Sequence, residues 1–182
     1  MNLLTPDAVV DHHPVTLVGF ASGGAGPALA EGASAGGAVG LHIVLRPRSV
    51  WALDIGGREG LYAKDTRTLG CVLVGARFDP EGPLFLRGGF AHHHETPWEL
   101  AKEHPIEAGL GSLTGIRHRS GLDLAVGLDA SVDRLLPGSF DGLGVVAELS
   151  GAVFPDENGP RGYVFFDFGV SLDVGQRSVT VK

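Results

Sequence analysis

The sequence is poor in cysteine and lysine, and these shortages restrict the class of protein. Cys71 is the only cysteine among the 182 residues, so no intrachain disulfide can form. Lysine occurs only at Lys64, Lys102 and Lys182, whereas soluble surfaces usually carry many lysines. No apolar run reaches the roughly 20 residues of a transmembrane helix. The net charge of −7 gives no electrostatic support to nucleic-acid binding, so no nucleic-acid partner is expected.

Glycine and proline, in contrast, are abundant. The chain has 29 glycines and 11 prolines, which divide it into many short segments. Its mean hydropathy is nevertheless +0.16, so apolar residues are spread along these segments instead of forming one block. The length suits a single domain. Many short apolar segments between turn residues predict an all-β fold.

Apolar and polar residues alternate with a period of two, as in β-strands. In "GYVFFDFGVSLDV" every second residue from Val164 to Val174 is apolar, and Asp167 and Asp173 belong to the other face. Residues 15–22 are largely apolar, and their faces cannot be assigned from the pattern. The eight predicted strands are 15–22, 39–46, 51–58, 71–78, 84–93, 121–132, 144–153 and 162–174.

An even number of strands favours a closed, eight-stranded antiparallel up-and-down β-barrel. We expect an N-terminal arm at residues 1–14, the barrel at 15–174 and a C-terminal tail at 175–182. Long and short connections alternate, so the long loops fall at one end of the barrel. The longest loop, 92–115, is expected to contain one short helix at Trp98–Ala108, with Thr96 as cap, Pro97 at its first position and Pro105 ending it.

The charged face is predicted to point into the barrel. An eight-stranded barrel has an interior just wide enough for side chains, and buried charges need partners. The opposite face has no charge within the assigned strands, and a charge there would cost ~2–4 kcal/mol at the middle of a bilayer. We therefore predict a transmembrane barrel of the outer-membrane type, in contact with the lipid bilayer. Its filled polar lumen would contain Asp54, Arg58, Arg77, Arg87, Asp123, Asp129, Glu148, Asp167 and Asp173.

A soluble β-barrel or β-sandwich that binds an apolar ligand is the alternative, because the same alternation arises with the faces reversed. Two features favour the membrane barrel. Lysine is missing from the predicted strands, and glycine recurs on the polar face, where it would weaken an exposed strand without a gain.

The alternation over Val15–Val174 resembles that of small eight-stranded outer-membrane β-barrels, such as the membrane domain of outer-membrane protein A. The resemblance implies the Gram-negative outer membrane, no open pore, and a structural or interaction role through the long loops. Lipopolysaccharide or envelope proteins would be the partners. The final "SVTVK" lacks the terminal aromatic residue of this family. The opening "MNLLTPDAVVDHHP" is not a signal peptide. Either the protein stays in the cytoplasm, or a signal peptide was removed and Met1 was added; a signal peptide upstream of Asn2 in the gene would decide between the two.

Histidines give one candidate metal site. In "AHHHETPWE", His92 and His94 share a strand face and could bind one ion, with His104 or Glu99 as a further ligand. The alternative is a solvated rim of the barrel. No cysteine pair for zinc and no phosphate-binding glycine loop occurs, so no cofactor is predicted.

His118 and Ser120 give a candidate catalytic pair in "GIRHRSGLD". The pair resembles the His-x-Ser of lipid A deacylases, which implies ester hydrolysis by a serine that a histidine activates. In this sequence Gly121 replaces the asparagine of that family. The acid that orients the histidine is not identified; Asp133 and Glu148 are the candidates. The alternative is a polar strand end with a histidine at the membrane interface.

Overall fold

Eight antiparallel strands close into a barrel, as predicted. The structure is a computed structural model and describes residues 9–12, 14–26, 34–47, 50–62, 67–80, 82–114, 116–132, 142–155, 161–174 and 178–181. The strands are β1 (Val9–His12), β2 (Val15–Gly26), β3 (Ser34–Leu45), β4 (Trp51–Tyr62), β5 (Arg67–Phe78), β6 (Leu84–Pro97), β7 (Arg117–Ser131), β8 (Leu143–Phe154), β9 (Arg161–Val174) and β10 (Ser178–Val181). Each of β2 to β9 pairs with its neighbour in sequence, and β9 closes the ring against β2.

The pleat places apolar residues outside and charged residues inside. On β9, Phe168 is 59% exposed and the adjacent Asp167 only 2%. On β2, whose faces were not assigned, Thr16, Val18 and Ser22 point inward. Charges inside and apolar side chains outside are the reverse of a soluble barrel with an apolar lumen, so that alternative is wrong. The exposed apolar side chains of the strands include Val39, Leu41, Val72, Leu86, Phe90, Leu122, Leu124, Leu149, Phe166 and Val170.

The helical part of the longest connection differs from the prediction. Two six-residue helices occur, α1 (Trp98–Glu103) and α2 (Pro105–Leu110), instead of one. Pro105 begins the second helix, because a proline at the first helical position loses no hydrogen bond. Thr96 is not a helix cap, since β6 continues through Pro97. Among the described residues, no helix is long and apolar enough to span a membrane.

At the end of the barrel that carries the two helices, the strands are longer than the sequence predicts. The glycine-rich segment before residue 39 was expected to be a loop, yet β2 reaches Gly26 and β3 starts at Ser34. Gly23 pairs with Gly37 in the ladder between them. Glycine weakens a strand because it has no side chain to pack, so a glycine-rich segment is not usually predicted as a strand. Here the barrel supplies partners on both sides of β2, so its hydrogen bonds form regardless.

The two ends of the barrel differ in their connections. Short connections join β3 to β4 and β5 to β6, and both the start of β2 and the end of β9 lie at this end, where Val15 pairs with Val174. We call it the turn end. The opposite end, which carries α1 and α2, is the loop end. Beyond the turn end, β1 pairs with β10 in a small separate sheet.

Candidate functional site

Near the turn end, arginines and aspartates pair inside the barrel. Arg77 donates from Nη2 to Asp129 Oδ2 at 3.0 Å and from Nε to Asp79 Oδ1 at 2.6 Å. Arg46 donates from Nε to Asp79 Oδ2 at 3.2 Å. The centre of the Phe85 ring lies 3.8 Å from the guanidinium carbon of Arg77, a cation–π contact. Asp173, also at this end, accepts a hydrogen bond from the Thr16 hydroxyl at 2.5 Å.

The centre of the lumen is organised around Arg87. Its Nη2 lies 2.6 Å from Glu148 Oε1 and 3.1 Å from Asp123 Oδ1. Asp54 lies nearby in the same layer, with Oδ1 2.7 Å from His42 Nδ1. Arg87 thus joins β6 to β7 and β8 through its ion pairs, and its Nη1 lies 3.3 Å from His42 Nδ1 on β3, the partner of Asp54. Such pairing makes the desolvation of these charges tolerable.

Arg58 and Asp167 form the third lumen group. Arg58 Nη2 lies 3.1 Å from Asp167 Oδ2 and 3.1 Å from Ser150 Oγ. Ser150 and Ser22 both donate hydrogen bonds to Asp167. The guanidinium carbon of Arg58 also lies 4.5 Å from the centre of the Phe165 ring. Every charged residue predicted for the lumen therefore has a polar partner there.

A fourth group, at the loop end of the lumen, was not predicted. Glu95 Oε2 lies 3.3 Å from Arg119 Nη1, and Glu95 Oε1 lies 3.8 Å from Arg161 Nη1. Tyr163 donates its hydroxyl hydrogen to Glu95 Oε1 at 2.5 Å. The sequence could have indicated this group, because Glu95 lies an even number of residues after Arg87 and so points to the same side of the strand. It was missed because residues after 93 were assigned to a loop.

Three histidines meet on the outer face of the barrel at its loop end. His92 and His94 alternate along β6, and His118 is paired with His94 across the β6–β7 ladder. One ring nitrogen from each lies within 4.8 Å of the other two. The third histidine is thus His118. His104 and Glu99 are not members of this group, and Glu99 forms an ion pair with Lys102 on α1.

Ser120 shares the outer face with His118, but its hydrogen-bond partner is His92, whose Nδ1 lies 3.2 Å from Ser120 Oγ. His92 Nε2 lies 3.2 Å from His118 Nδ1. No hydrogen bond or ion pair joins His92 or His118 to a carboxylate of the described residues. Glu148 is paired with Arg87 inside the lumen, and Asp133 lies outside the described residues. Ester hydrolysis by this pair stays a prediction.

An apolar cavity of about 500 Å³ lies between the helices and the barrel wall. Trp98, Ala101, Pro105 and Ala108 line it from the helices. Its wall side combines small residues with one carboxylate, Glu59. Its size falls within the ~300–1,000 Å³ range of small-ligand sites. The wall residues are Ser22, Gly37, Ala38, Val39, Glu59, Gly60, Leu61 and Thr68.

The closed antiparallel wall, its apolar outer surface and its polar, filled interior together define the architecture of a small outer-membrane β-barrel. The fold is similar to that of neisserial surface protein A, with a TM-score of 0.66 and 11% sequence identity over 91% of this chain and 99% of that one. It is also similar to the N-terminal β-barrel domain of Pseudomonas aeruginosa OprF, with a TM-score of 0.53 and 16% identity over 86% and 96% of the two chains. No family model and no curated protein matches the sequence. The predicted resemblance is confirmed for the fold.

Proposed function

We propose that this protein is an integral β-barrel of the bacterial outer membrane, with a closed lumen and a loop end that binds lipopolysaccharide. The observation that carries the proposal is the distribution of polarity across the wall. The outer surface from Leu53 to Ile55 on β4, and from Leu122 to Leu128 on β7, exposes large apolar side chains, while the charges between them point inward. Water would not stabilise such a surface, whereas acyl chains would.

The lumen is proposed to be closed to ions. Among the central side chains, next to His42, Phe85 and Glu148, lies a cavity of about 10 Å³. That is room for the centre of about one water molecule, which does not form a continuous water column. The paired arginines and carboxylates fill the remaining cross-section. Aqueous channels occur in much wider barrels, such as those with about 16–18 strands.

The helices at the loop end support an interaction role. Ile106 is 72% exposed and Leu110 is 75% exposed, and both belong to α2. Being four residues apart, they share one face of that helix. Next to this pair lies the apolar cavity that Trp98 and Ala101 help to line. An exposed apolar face beside an apolar cavity suits a lipid with acyl chains, and lipopolysaccharide is the lipid that surrounds the loop end in the proposed location.

Binding to lipopolysaccharide can be measured with the refolded protein in detergent, by its co-migration with lipopolysaccharide on a native gel. We expect the wild-type protein to bind and the double variant Ile106→Ser/Leu110→Ser to bind at least tenfold more weakly, since about 1.4 kcal/mol of lost apolar contact gives that factor. Val50→Ser removes an exposed apolar side chain at the turn end and is the matched control. Equal binding by the double variant and the control would refute the role of the loop end.

A further inference from the structure

We propose that His92, His94 and His118 form a binding site for a transition-metal ion, with Zn²⁺ as its ion. The sequence pointed to two of these histidines, and the fold brings the third from the next strand. The site depends only on the fold of β6 and β7 and on the position of α2. It is therefore independent of the proposed outer-membrane location and of lipopolysaccharide binding.

His94 supplies the clearest evidence for a ligand. Its Nε2 lies 2.8 Å from the carbonyl oxygen of Gly109 on α2. Because a carbonyl can only accept, Nε2 carries the hydrogen and Nδ1 carries the lone pair. Among the described residues, that Nδ1 has no hydrogen-bond partner, although His94 is only 3% exposed. Buried polar atoms are rarely left without partners, and a metal ion would satisfy this one.

His92 and His118 are already spaced for one ion. His92 Nε2 lies 3.2 Å from His118 Nδ1. Two nitrogens that bind a tetrahedral zinc ion at about 2.0–2.1 Å lie roughly 3.3–3.4 Å apart. The other ring nitrogen of His92, Nδ1, lies 3.2 Å from the Ser120 hydroxyl. Metal-binding histidines usually hold their second nitrogen in such a hydrogen bond, so Ser120 and the Gly109 carbonyl would orient two of the three rings.

Two glycines leave room for the His94 ring. A Cβ at Gly70, on the neighbouring strand β5, would lie 2.0 Å from His94 Nε2 and would displace the ring. A Cβ at Gly111 would lie 3.0 Å from His94 Nδ1 and 3.2 Å from His118 Cε1. Gly111 also has a φ of 68°, which disfavours other residues. The end of α2 thus closes over the histidines without filling the space beside Nδ1.

The donor set selects the class of ion. Three imidazoles without a thiolate or carboxylate suit Zn²⁺, Ni²⁺ and Cu²⁺, whereas Mg²⁺ and Ca²⁺ prefer oxygen ligands. Three protein ligands leave the fourth tetrahedral position of a zinc ion for water. The nitrogens now lie within 4.8 Å of one another, so the rings would move inward by roughly 1 Å on binding.

The site can be tested with the refolded full chain in detergent micelles, by titrating ZnCl₂ against a chromophoric chelator. We expect one tightly bound ion per chain, and His94→Gln and His118→Gln to weaken zinc binding at least ~100-fold. Ser120→Ala, which removes only the hydrogen bond to His92, should weaken it by about 10–100-fold. Cobalt in place of zinc should give the intense visible absorption of tetrahedral coordination in the wild-type protein and lose it in both histidine variants.

Two controls change histidines other than the three proposed ligands. His104→Gln changes an exposed histidine between α1 and α2, and should leave zinc binding unchanged. The double variant His12→Gln/His13→Gln removes an adjacent pair in the N-terminal segment and should also bind normally. Each variant is folded if its unboiled sample migrates on an SDS gel as the unboiled wild-type protein does. Zinc binding that survives in folded His94→Gln, that is lost in the His12/His13 variant, or that is only millimolar in the wild type would overturn the proposal.

Discussion

Arg87 shows at the level of single residues how charges are accommodated inside the barrel. Its side chain has no solvent exposure and lies within 3.1 Å of carboxylate oxygens from both Asp123 and Glu148. Its ion pairs reach Asp123 on the neighbouring strand β7 and Glu148 on β8, the next strand around the barrel. An arginine suits this position because its planar guanidinium offers several donors at fixed directions.

Replacing Arg87 with leucine should destabilise the barrel strongly. The substitution keeps the apolar part of the side chain and leaves Asp123 and Glu148 without their shared cation. Removing one partner of a buried ion pair typically costs about 3–5 kcal/mol. We expect a loss of this size in the free energy of unfolding, measured by urea titration of the protein in lipid vesicles.

Lys102→Leu is the matched control for Arg87→Leu. Lys102 pairs with Glu99 on α1, where both side chains are well exposed, and such surface pairs contribute about 0–1 kcal/mol. We expect its unfolding curve to overlay that of the wild type. Equal effects of the two substitutions would show that the lumen charges do not stabilise the barrel.

The sequence predicted the direction of these side chains but not their partners. Strand parity placed Arg58, Arg77 and Arg87 on the same side of the wall as the aspartates, because side chains alternate in a strand. Parity does not reveal which arginine meets which carboxylate. That depends on the stagger between strands, which brings Arg58 to Asp167. The His92–Ser120 contact was missed for the same reason, since the two residues are 28 positions apart and meet only through the β6–β7 register.

Glycines in the strands allow the wall of a narrow barrel to bend. Gly75 and Gly89 are directly paired between β5 and β6, and both face the lumen. A Cβ at Gly89 would lie 2.5 Å from Gly75 Cα and 2.5 Å from the Val74 carbonyl oxygen. These are backbone atoms and cannot rotate away. The backbones of the two strands therefore approach as closely as they do only because side chains are lacking.

Gly89→Ala should destabilise the barrel by about 1–3 kcal/mol, the usual cost of overpacking. Gly19→Ala is the matched control, because a Cβ added at Gly19 on β2 would meet no atom within 4 Å. The control should be neutral or slightly stabilising, since alanine restricts the unfolded chain. Both effects can be read from urea midpoints in vesicles. Gly89→Ala with wild-type stability would contradict the close approach of β5 and β6.

Element boundaries were harder to predict than element type. The alternation identified all eight barrel strands, yet it stopped short of the loop-end extensions of β2, β3 and β6. The extensions of β2 and β3 are rich in glycine, and that of β6 ends in a proline, and both residues are depleted in strands. Neighbouring strands on both sides supply their hydrogen bonds. Similarly, Pro105 was expected to end a helix, and it begins α2 because the preceding His104 breaks the helical backbone.

For the whole molecule, closure of the sheet is the property on which the membrane interpretation depends. β9 pairs with β2 over eleven residues, from Val15↔Val174 to Ala25↔Val164, so the barrel has no open edge. A lipid environment requires this, because it cannot satisfy unpaired backbone groups. The sequence predicted closure from the even number of strands. It did not predict that β1 and β10 would pair beyond the turn end.

The most direct test of the account is the environment of the outer face of β9, measured by electron paramagnetic resonance. In a Cys71→Ser background, spin labels at Val164, Phe166, Phe168, Val170 and Leu172 would be exposed to oxygen, which partitions into lipid, and to chromium oxalate, which stays in water. The control label is at Glu103, an exposed and charged position at the end of α1, outside the apolar outer face of the barrel. We expect the ratio of oxygen to chromium collisions to peak at Phe168, the middle of the strand, and to fall toward both ends. Chromium collisions at Phe166 and Phe168 as frequent as at Glu103 would show that this face meets water, and would contradict the membrane barrel.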